Sequence, residues 1–381
     1  MANAWQNVDI IAAEALRILT DELVIANLTS RDKTSDFMTR PNGYRVGDTV
    51  RILNRPDYKV NNFTAGGNIE VQDIRESTRS MTIENHYDVS VEIGAKEKTL
   101  DLESFSEQVV APGARRLAEQ VDKYVGTKIL EGAGLYASGT LLQSAADVAQ
   151  ARKEATLQQL ELSGRYALLD LDLEATVLGQ EWFNQSQTRG SFGVDTLQSG
   201  QMGHVMGMDF FSSINFPTNA ATIGDGVGVT NNTGGTTNLV GMTAVTTTAT
   251  TGQMEAGDRI MIAGVRRPLI VAAQTAATAT SIPVVDPITE IIPDGAAITT
   301  IAAGQTVTYN GAIFDNRSMA VAMPMLDPAS DKPSSVISDD GVSIRIVQGY
   351  DMITKTETLS MDLLVGATAY DPRRITLLAS Q

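Results

Sequence analysis

The longest helical pattern in the chain lies between residues 101 and 132. Charged residues such as Asp122 fall between its apolar positions and are expected to face water. Pro112 suits a first turn and Gly132 a C-terminal cap, so the rod should be about 30 Å long. A short helical turn over 104–110 is expected to precede it. The spacing predicts a helix whose buried face carries Ala114, Leu117, Ala118, Val121, Val125 and Ile129.

A second amphipathic pattern opens the chain. Asn7 or Asp9 could cap the start of this helix. Because no partner helix is close in sequence, it must dock on distant residues or on another chain, and both remain open. Its predicted apolar stripe is Ile10, Ile11, Ala15, Leu16, Leu19, Leu23 and Val24.

Alternating patterns follow a polar connector at residues 29–45. They predict strands at 49–53 and between Met81 and Ile93. The segment between these strands has few apolar residues and a Gly-Gly turn at Gly66, which predicts a long hairpin arm. Two strands alone are marginal in water, so we expect the arm to need another surface to lie against.

Helical and strand patterns then alternate. A helix is predicted over 145–162, a buried strand over 165–171, and a helix capped by Asp172 that runs through Trp182. This alternation predicts a mixed sheet covered by helices. Near the C-terminus the pattern predicts strands at 343–347, 354–364 and 374–378.

The composition changes sharply at residues 219–306. This stretch holds 18 Thr and 11 Gly but no Phe, Tyr, Trp or Lys. Sequences of mixed α/β character resume on both sides, so we interpret it as an inserted all-β module, a small barrel or sandwich. Its predicted strands are Leu239–Thr247, Arg259–Val265, Leu269–Ala272, Ser281–Val285 and Ala297–Ile301.

Composition and charge narrow the function. The net charge of -16 over 381 residues argues against a dedicated nucleic-acid binder, because phosphate contacts need a surplus of Lys and Arg. The absence of cysteine excludes disulfides and thiolate chemistry. No apolar run approaches the span of a bilayer and no signal-peptide pattern is present, so we expect a soluble protein made in the cytosol.

Motifs for catalysis or cofactor binding are missing from the sequence. The two histidines, His86 and His204, lie in no metal-ligand spacing, and no GxSxG, GxxxxGK[ST] or CxxC occurs. The glycine-rich run 224–228 precedes no helix pattern and is interpreted as a loop. The carboxylate pairs at Asp170 and Asp339 are more typical of acidic turns. We therefore predict no catalytic, cofactor or metal site.

Several segments between about residue 200 and the C-terminus resemble one family. The run 249–252, followed by Gly-Asp-Arg-Ile at 257–260 and Ala-Gly-Val at 263–265, resembles the inserted β-domain of the major coat proteins of certain short-tailed bacteriophages. Further segments are similar to the flanks of that domain and to the C-terminal segment of many tailed-phage capsid proteins: Val205–Asp209, Asp340 with Ile344–Val347, and Gly366–Pro372. Where the family has Arg-Pro-Glu, this chain has Asp371-Pro372-Arg373.

The resemblance implies an α+β fold of the tailed-phage major capsid type. That fold has an N-terminal arm, an extended loop, a long spine helix, and peripheral and axial domains, here with an inserted all-β, barrel-like domain. The implied boundaries are 1–36 for the arm, 37–100 for the extended loop and its flanking strands, 101–171 for the peripheral domain with the spine helix, 172–218 and 307–338 for the axial domain, 219–306 for the inserted domain, 339–365 for peripheral return strands and 366–381 for a C-terminal axial strand.

The same resemblance implies a structural function without catalysis. The chain would assemble with itself, as hexamers and pentamers, into an icosahedral shell around double-stranded DNA. Scaffolding and portal proteins are the implied partners, with a decoration protein as a further candidate. No cofactor, membrane or sequence-specific nucleic-acid binding is implied, and the location would be the virion capsid, assembled in the host cytoplasm. The alternatives are an enzyme whose β insertion recognises substrate and a secreted β-rich adhesin, which the missing export signal disfavours.

Opposite charges are segregated around the predicted arm. Residues 31–60 hold seven Lys or Arg and four Asp, a net of +3, whereas residues 84–107 hold seven acids and two Lys, a net of -5. We hypothesise that the arm is guided onto the acidic entry to a neighbour's long helix, with pairing inside one chain as the open alternative. The candidate contact residues between subunits are Arg55, Lys59, Phe63, Arg75, Arg79, Glu103 and Glu107.

Overall fold

The computed structural model shows an α+β chain with its strands in several separate sheets. The structure describes residues 3–38, 49–53, 78–94, 106–133, 135–137, 144–157, 160–184, 202–232, 238, 240–265, 268–285, 287–288, 290–301, 303–304, 306–330, 332–353, 355–371 and 374–380.

The described residues form six α-helices. A 3₁₀ turn at Ala26–Leu28 follows the first of them, and a π-helical turn at Ser106–Val110 leads into the third, where a helical turn was predicted. None of the described helices is long and apolar enough to cross a membrane. The helices are α1 (Asn3–Glu22), α2 (Thr34–Met38), α3 (Ala111–Gly132), α4 (Ala145–Leu157), α5 (Leu171–Leu178) and α6 (Glu181–Asn184).

A five-stranded antiparallel sheet lies under the long helix α3. It consists of β3 (Asn85–Gly94), β16 (Met319–Ala322), β17 (Ser334–Asp339), β18 (Val342–Asp351) and β19 (Thr356–Ala369), with strands numbered in chain order. Strand β19 pairs with β18, with the whole of β3 and, at its end, with β16. The approach of α3 to β19 is close because Gly113 and Gly132 carry no side chain: a Cβ atom at Gly132 would lie 2.5 Å from that of Ala369.

The six predicted apolar positions of α3 are all buried, which confirms the helical face. The prediction for Asp122 is wrong, because this carboxylate is fully buried rather than facing water. It accepts hydrogen bonds from the backbone N–H of Val24 at 2.8 Å and of Ala26 at 3.0 Å. Burial raises the pKa of Asp122. The residue thus fastens the segment after α1 to α3.

Helix α1 docks on its own chain, against α3, β17 and β18. It begins at Asn3, before both predicted cap residues, so the prediction of Asn7 or Asp9 as cap is wrong. Ala15, Leu16, Leu19 and Leu23 face the core as predicted, whereas Ile10 is exposed. The apolar face is rotated from the predicted one because Val8, Ala12 and Ile18 also contribute to it.

A seven-stranded mixed sheet forms the other part of the body. Strand pairs β4–β20 and β5–β7 are parallel and the remaining pairs are antiparallel, as the predicted alternation of helix and strand implies. Leu168 faces the core shared with α1 and α3, while its neighbours Ala167 and Leu169 face α4, α5 and α6. The strands are β4 (Leu135–Ala137), β5 (Arg165–Leu169), β6 (His204–Val205), β7 (Met208–Ser212), β8 (Asn219–Thr222), β15 (Thr306–Asp315) and β20 (Thr376–Ser380).

Three helix boundaries differ from the predictions. The helix predicted through Trp182 is divided into α5, which ends at Leu178, and α6, which begins at Glu181. Helix α4 ends at Leu157, because Leu160 and the residues after it turn around the buried guanidinium of Arg165, which donates to the Leu160 carbonyl at 2.6 Å. Helix α5 begins at Leu171, so the residue at its N-cap position is Asp170 and not the predicted Asp172.

The inserted module (residues 219–306) forms two small sheets around its own aliphatic core. Single bridges, Thr230 to Thr247 and Val271 to Val284, connect sheets that otherwise stay open, so a closed barrel is not confirmed. Its first strand, β8, pairs with β15 of the body sheet. The other strands are β9 (Val227–Val229), β10 (Ala244–Thr246), β11 (Arg259–Ile262), β12 (Leu269–Ile270), β13 (Ser281–Pro283) and β14 (Ala297–Thr300).

Candidate assembly interface

Most of the predicted contact residues fall outside the described part of the chain. Arg79 lies in β2 (Thr78–Thr82), where its backbone is opposite Ile52, and Glu107 lies in the π-helical turn before α3. Their side chains are not among those described. The segregated-charge contact therefore stays a prediction. The residues outside the description are Arg55, Lys59, Phe63, Arg75 and Glu103.

The base of the predicted arm is a two-stranded ladder. Strand β1 (Thr49–Leu53) pairs antiparallel with β2, and in the last pair Leu53 lies opposite Thr78. The predicted arm itself, residues 54–77, lies outside the described residues. Ile52 and Met81 bury their side chains against Phe37 and against alanines of β16. The ladder is thus anchored on the body by a small apolar cluster.

A cluster of polar groups fixes the connection between β2 and β3 to the long helix. Glu84 accepts a hydrogen bond from the Tyr124 hydroxyl at 3.0 Å, and the Lys128 ammonium lies 3.1 Å from the same carboxylate. Burial, reinforced by the bond to Glu84, raises the pKa of Tyr124. Just before Glu84 the chain passes closely over Gly366, where a Cβ atom would lie 2.5 Å from the Thr82 carbonyl oxygen. The connection between β2 and β3 is therefore held in place by α3 and β19 together.

The far end of the five-stranded sheet forms a three-stranded tongue. Pairing of β17 with β18 stops at Val347, whereas β18 continues to Asp351 and β19 begins at Thr356. Strand β3 accompanies β19 to the pair Thr356–Gly94. The tongue (residues 92–94, 348–353 and 355–358) consequently extends past β17.

Three apolar side chains occupy the tip of the tongue. Tyr350 is 49% exposed, Met352 76% and Ile353 92%. The turn is ordered by a hydrogen bond of 2.8 Å from the Ile353 backbone N–H to the Asp351 carboxylate. Clusters of exposed large apolar groups mark contact sites more often than scattered ones do. The tip (Tyr350, Met352 and Ile353) is therefore a candidate contact with another molecule.

An ion-pair network holds the three strands of the tongue together farther back. The buried carboxylate of Asp362 on β19 accepts from the guanidinium of Arg345 on β18, with Nε at 2.9 Å, and lies 2.9 Å from Nε2 of His86 on β3. The hydrogen bond to Asp362 raises the pKa of Arg345. His86 thus has a structural role, which agrees with its position outside any metal-ligand spacing in the sequence.

The glycine-rich run at 224–228 lies beside a cavity of about 480 Å³ at the neck of the inserted module. Its second half forms β9, so the prediction of a loop is wrong there. The backbone N–H of Gly224 donates to Asp258 at 3.0 Å. With Asp225 and Glu255 also in the lining, the cavity presents carboxylates, which repel phosphate. Among the described residues no group of three His, Asp or Glu could hold a metal ion.

Sequence reasoning missed the tip. The sequence pattern predicted strands at 343–347 and 354–364 and no function for the six residues between them. The available signal was a Tyr-Asp-Met-Ile run in a turn, because turns are ordinarily built from Gly, Pro, Asn, Asp and Ser.

Comparisons with known proteins identify the fold. No family model and no curated relative matches the sequence. A solved structure named Mycobacterium phage Che8 superposes with a TM-score of 0.53 at 12% identity, over 93% of this chain and 90% of that chain. A capsid structure of the cyanophage P-SCSP1u gives a TM-score of 0.49 at 12% identity, over 88% and 84%. A virus-like particle from Pyrococcus furiosus gives 0.43 at 10% identity, over 98% and 99%. The likeness predicted from sequence is thus confirmed at the level of the fold: this chain is similar to a bacteriophage structure.

Proposed function

We propose that this chain is the major capsid protein of a tailed bacteriophage, which assembles with copies of itself into an icosahedral shell around double-stranded DNA. The observation that carries the proposal is the tip, three large apolar side chains that the described part of the chain leaves exposed. The fold shared with a mycobacterium phage structure and the resemblance of segments 249–265 and 366–372 to coat proteins support it.

The elements have matching roles in this proposal. Helix α3 is the spine helix and the ladder β1–β2 is the base of the extended loop. The five-stranded sheet belongs to the peripheral domain and the seven-stranded sheet to the axial domain, so β16 and most of β17 leave the axial range implied by the sequence, and β4 and β5 leave the peripheral range. Extensive docking of α1 on α3 and β18 favours a subunit that folds before it meets its neighbours. The arm and the tongue then serve as the contacts between subunits.

The proposed role is structural and involves no catalytic step. A chain of net charge -16 suits a shell that encloses DNA without gripping it, because like charges keep the polymer from adhering. Hexamers and pentamers of the chain, a scaffolding protein, a portal and a decoration protein are the partners in this proposal. The virion capsid, assembled in the host cytoplasm, is its location.

The test is a double substitution at the tip, Met352→Ser with Ile353→Ser. The subunit should keep its circular dichroism and thermal midpoint, since both side chains are solvent-exposed, yet the yield of closed shells should fall. Leu162→Ser is the control, because it removes an exposed apolar side chain far from the tongue in sequence. Electron microscopy and light scattering count the shells. A normal yield from the double variant would contradict the proposal that the tip makes an essential contact.

A further inference from the structure

Strand β3 forms an open edge of the five-stranded sheet. One side of it pairs with β19 in ten consecutive pairs, from Asn85 with Val365 to Gly94 with Thr356, without a bulge. None of the described strands pairs with its other side. At about 3.4 Å per residue this edge is roughly 30 Å long. An open edge presents a row of unpaired N–H and C=O groups, to which another strand can bind.

Strand β3 lacks the features that ordinarily prevent strand addition. Proteins protect open edges with lysine, with proline, with a bulge or by keeping the edge strand short. Residues 85–94 include no lysine and no proline, and they form one of the longer strands of the sheet. Strand β17, at the opposite edge, has only six residues and ends at Asp339. The edge of β3 is therefore suited to pairing with a further strand.

The two faces of β3 specify the side chains of such a strand. On the side of α3, Tyr87, Val89 and Val91 are only partly buried, although Tyr87 and Val89 pack against the main core. We call these three residues the apolar row, and apolar side chains of an added strand would extend it. On the other face Asp88 and Glu92 are exposed, and neither forms an ion pair with a described residue. A cation directly opposite each carboxylate would be favourable.

The spacing of these carboxylates restricts the possible partners. Residues directly opposite Asp88 and Glu92 would lie four positions apart in the added strand, with apolar residues next to them on its other face. Few cations in this chain have that spacing. The pairs of Lys or Arg four positions apart are Arg51 with Arg55, Arg55 with Lys59, and Arg75 with Arg79.

None of these three pairs fits β3. In the first, Ile52 would have to face the apolar row, but it is buried against Phe37 of its own chain. In the second, Asp57 lies between the two cations on the same face and would repel the carboxylates of β3. In the third, Glu76 would place a charge on the apolar row. A second copy of β3 would bring further carboxylates to the first, so the added strand has to come from a different protein.

We propose that β3 binds an extended segment of a different protein as an added strand. Lys or Arg side chains of this segment lie opposite Asp88 and Glu92, and its apolar side chains lie beside the apolar row. In this mode of recognition the main-chain hydrogen bonds provide affinity and the alternating side chains provide specificity. The inference goes beyond the proposed function and applies to the free subunit.

A synthetic peptide tests the proposal on soluble, full-length subunits. The labelled probe is Ser-Val-Lys-Val-Thr-Val-Lys-Val-Ser, in which the lysines are four positions apart. One control peptide has glutamate in place of both lysines, and another has alternate backbone nitrogens methylated. Fluorescence anisotropy should show about tenfold tighter binding of the lysine peptide than of the glutamate peptide, because opposite charges in cross-strand pairs are favourable and like charges are not. The methylated peptide should not bind, because it cannot complete the ladder.

Hydrogen exchange and a charge reversal locate the binding site. The amides of residues 85–94 that point away from β19 should exchange about tenfold more slowly with the lysine peptide bound. Asp88→Lys with Glu92→Lys should reverse the preference in favour of the glutamate peptide. Asp9→Lys with Asp21→Lys makes the same change of charge at exposed positions of α1 and should keep the original preference.

Several results would overturn the proposal. They are undetectable binding of the lysine peptide, equal affinity for the lysine and glutamate peptides, and binding that leaves the amides of β3 unprotected. Subunits that dimerise and thereby protect β3 would overturn the assignment to a different protein. Failure of the chain to form shells would contradict the capsid function and leave this inference intact, because the peptide test uses free subunits.

Discussion

The body and the inserted module of this chain are stabilised in different ways. The body packs aromatic rings: Tyr166 meets Phe211 and Phe314 edge-on at centroid distances of 5.8 and 6.2 Å, and Phe183 meets Phe210 at 6.1 Å. The module has no aromatic residue, and its core consists of Val, Ile, Leu, Met and Ala. Aromatic side chains bury the most area per residue, so the module has to gain stability elsewhere.

Buried polar side chains supply that stability. Asn238 accepts from the Thr246 backbone N–H at 2.6 Å and donates to the Thr246 carbonyl at 3.0 Å. The Thr230 hydroxyl donates to Pro293 and accepts from Ala296. Strands of two to four residues have short ladders, and these side chains take the place of missing backbone partners. A thin aliphatic core is thus compatible with a defined fold when its turns are fixed by side chains.

Separating the inserted module from the body should have the largest effect on stability. We expect residues 219–306 expressed alone to fold, because their strands pair locally, but with lower stability than in the intact chain. The isolated module loses Glu154, whose carboxylate lies 2.6 Å from the buried Arg259 guanidinium. A dispersed amide spectrum is the expected result. A collapsed spectrum would show that the module depends on the body.

Removing an aromatic ring from the body should be the most damaging single change. Phe314→Ala deletes a fully buried ring between two layers of the core and should lower the free energy of unfolding by about 3 to 5 kcal/mol. Both tryptophans, Trp5 and Trp182, lie outside the module, so denaturant titration by fluorescence reports on the body. Tyr350→Ala at the exposed tip is the control and should leave the midpoint unchanged. Equal midpoints for the two variants would contradict the stabilisation of the body by aromatic packing.

Replacing the buried carboxylate of Asp122 should have the next largest effect on stability. Asp122→Ala leaves the N–H groups of Val24 and Ala26 unpaired, at roughly 1 to 3 kcal/mol for each. Because the folded-state pKa of Asp122 is raised, its contribution is full below the unfolded pKa of about 4 and declines as pH rises through the folded pKa. Wild type should therefore lose stability relative to Asp122→Asn as pH rises through the acidic range. A difference that grows in favour of wild type would contradict this.

Within the module, removing a buried polar side chain should lower the stability as much as removing an apolar one. Asn238→Ala removes two hydrogen bonds to Thr246 and should cost the module about 1 to 3 kcal/mol. Amide hydrogen exchange of β10 and β13 should accelerate while the tryptophan-detected midpoint of the body stays constant. The exposed Thr248→Ala serves as the matched change. Unaltered exchange in Asn238→Ala would mean that apolar packing alone holds the module.

We expect the smallest effect on the free energy of unfolding from substitutions in the arm. Arg55→Glu with Lys59→Glu should leave the free energy of unfolding unchanged and impair assembly, since exposed pairs contribute only about 0 to 1 kcal/mol each but recur throughout a shell. Glu103→Lys with Glu107→Lys should partly restore assembly. Light scattering at several salt concentrations measures the extent of assembly. Normal shells from the first double variant would rule out the electrostatic guidance.

Elements with strong periodicity could be predicted from sequence. The 3.6-residue stripe of α3 and the β-branched runs of β18 and β19 are continuous, so local pattern alone identified them. Short strands such as β4 and β8 were missed, because three or four residues carry too little pattern and their pairing partners are distant. Asp122 was predicted to face water because no local pattern shows that it accepts hydrogen bonds from Val24 and Ala26, which lie nearly 100 residues earlier in the chain. The tip was missed because a short turn between two strands has no periodic pattern of apolar residues.

Electron microscopy of the purified chain tests the central claim, self-assembly into a closed shell, most directly. We expect hollow particles of uniform diameter whose averaged images obey icosahedral symmetry and whose subunits meet through the tip. Monodisperse monomers under every assembly condition, including coexpression with a scaffolding protein, would contradict it.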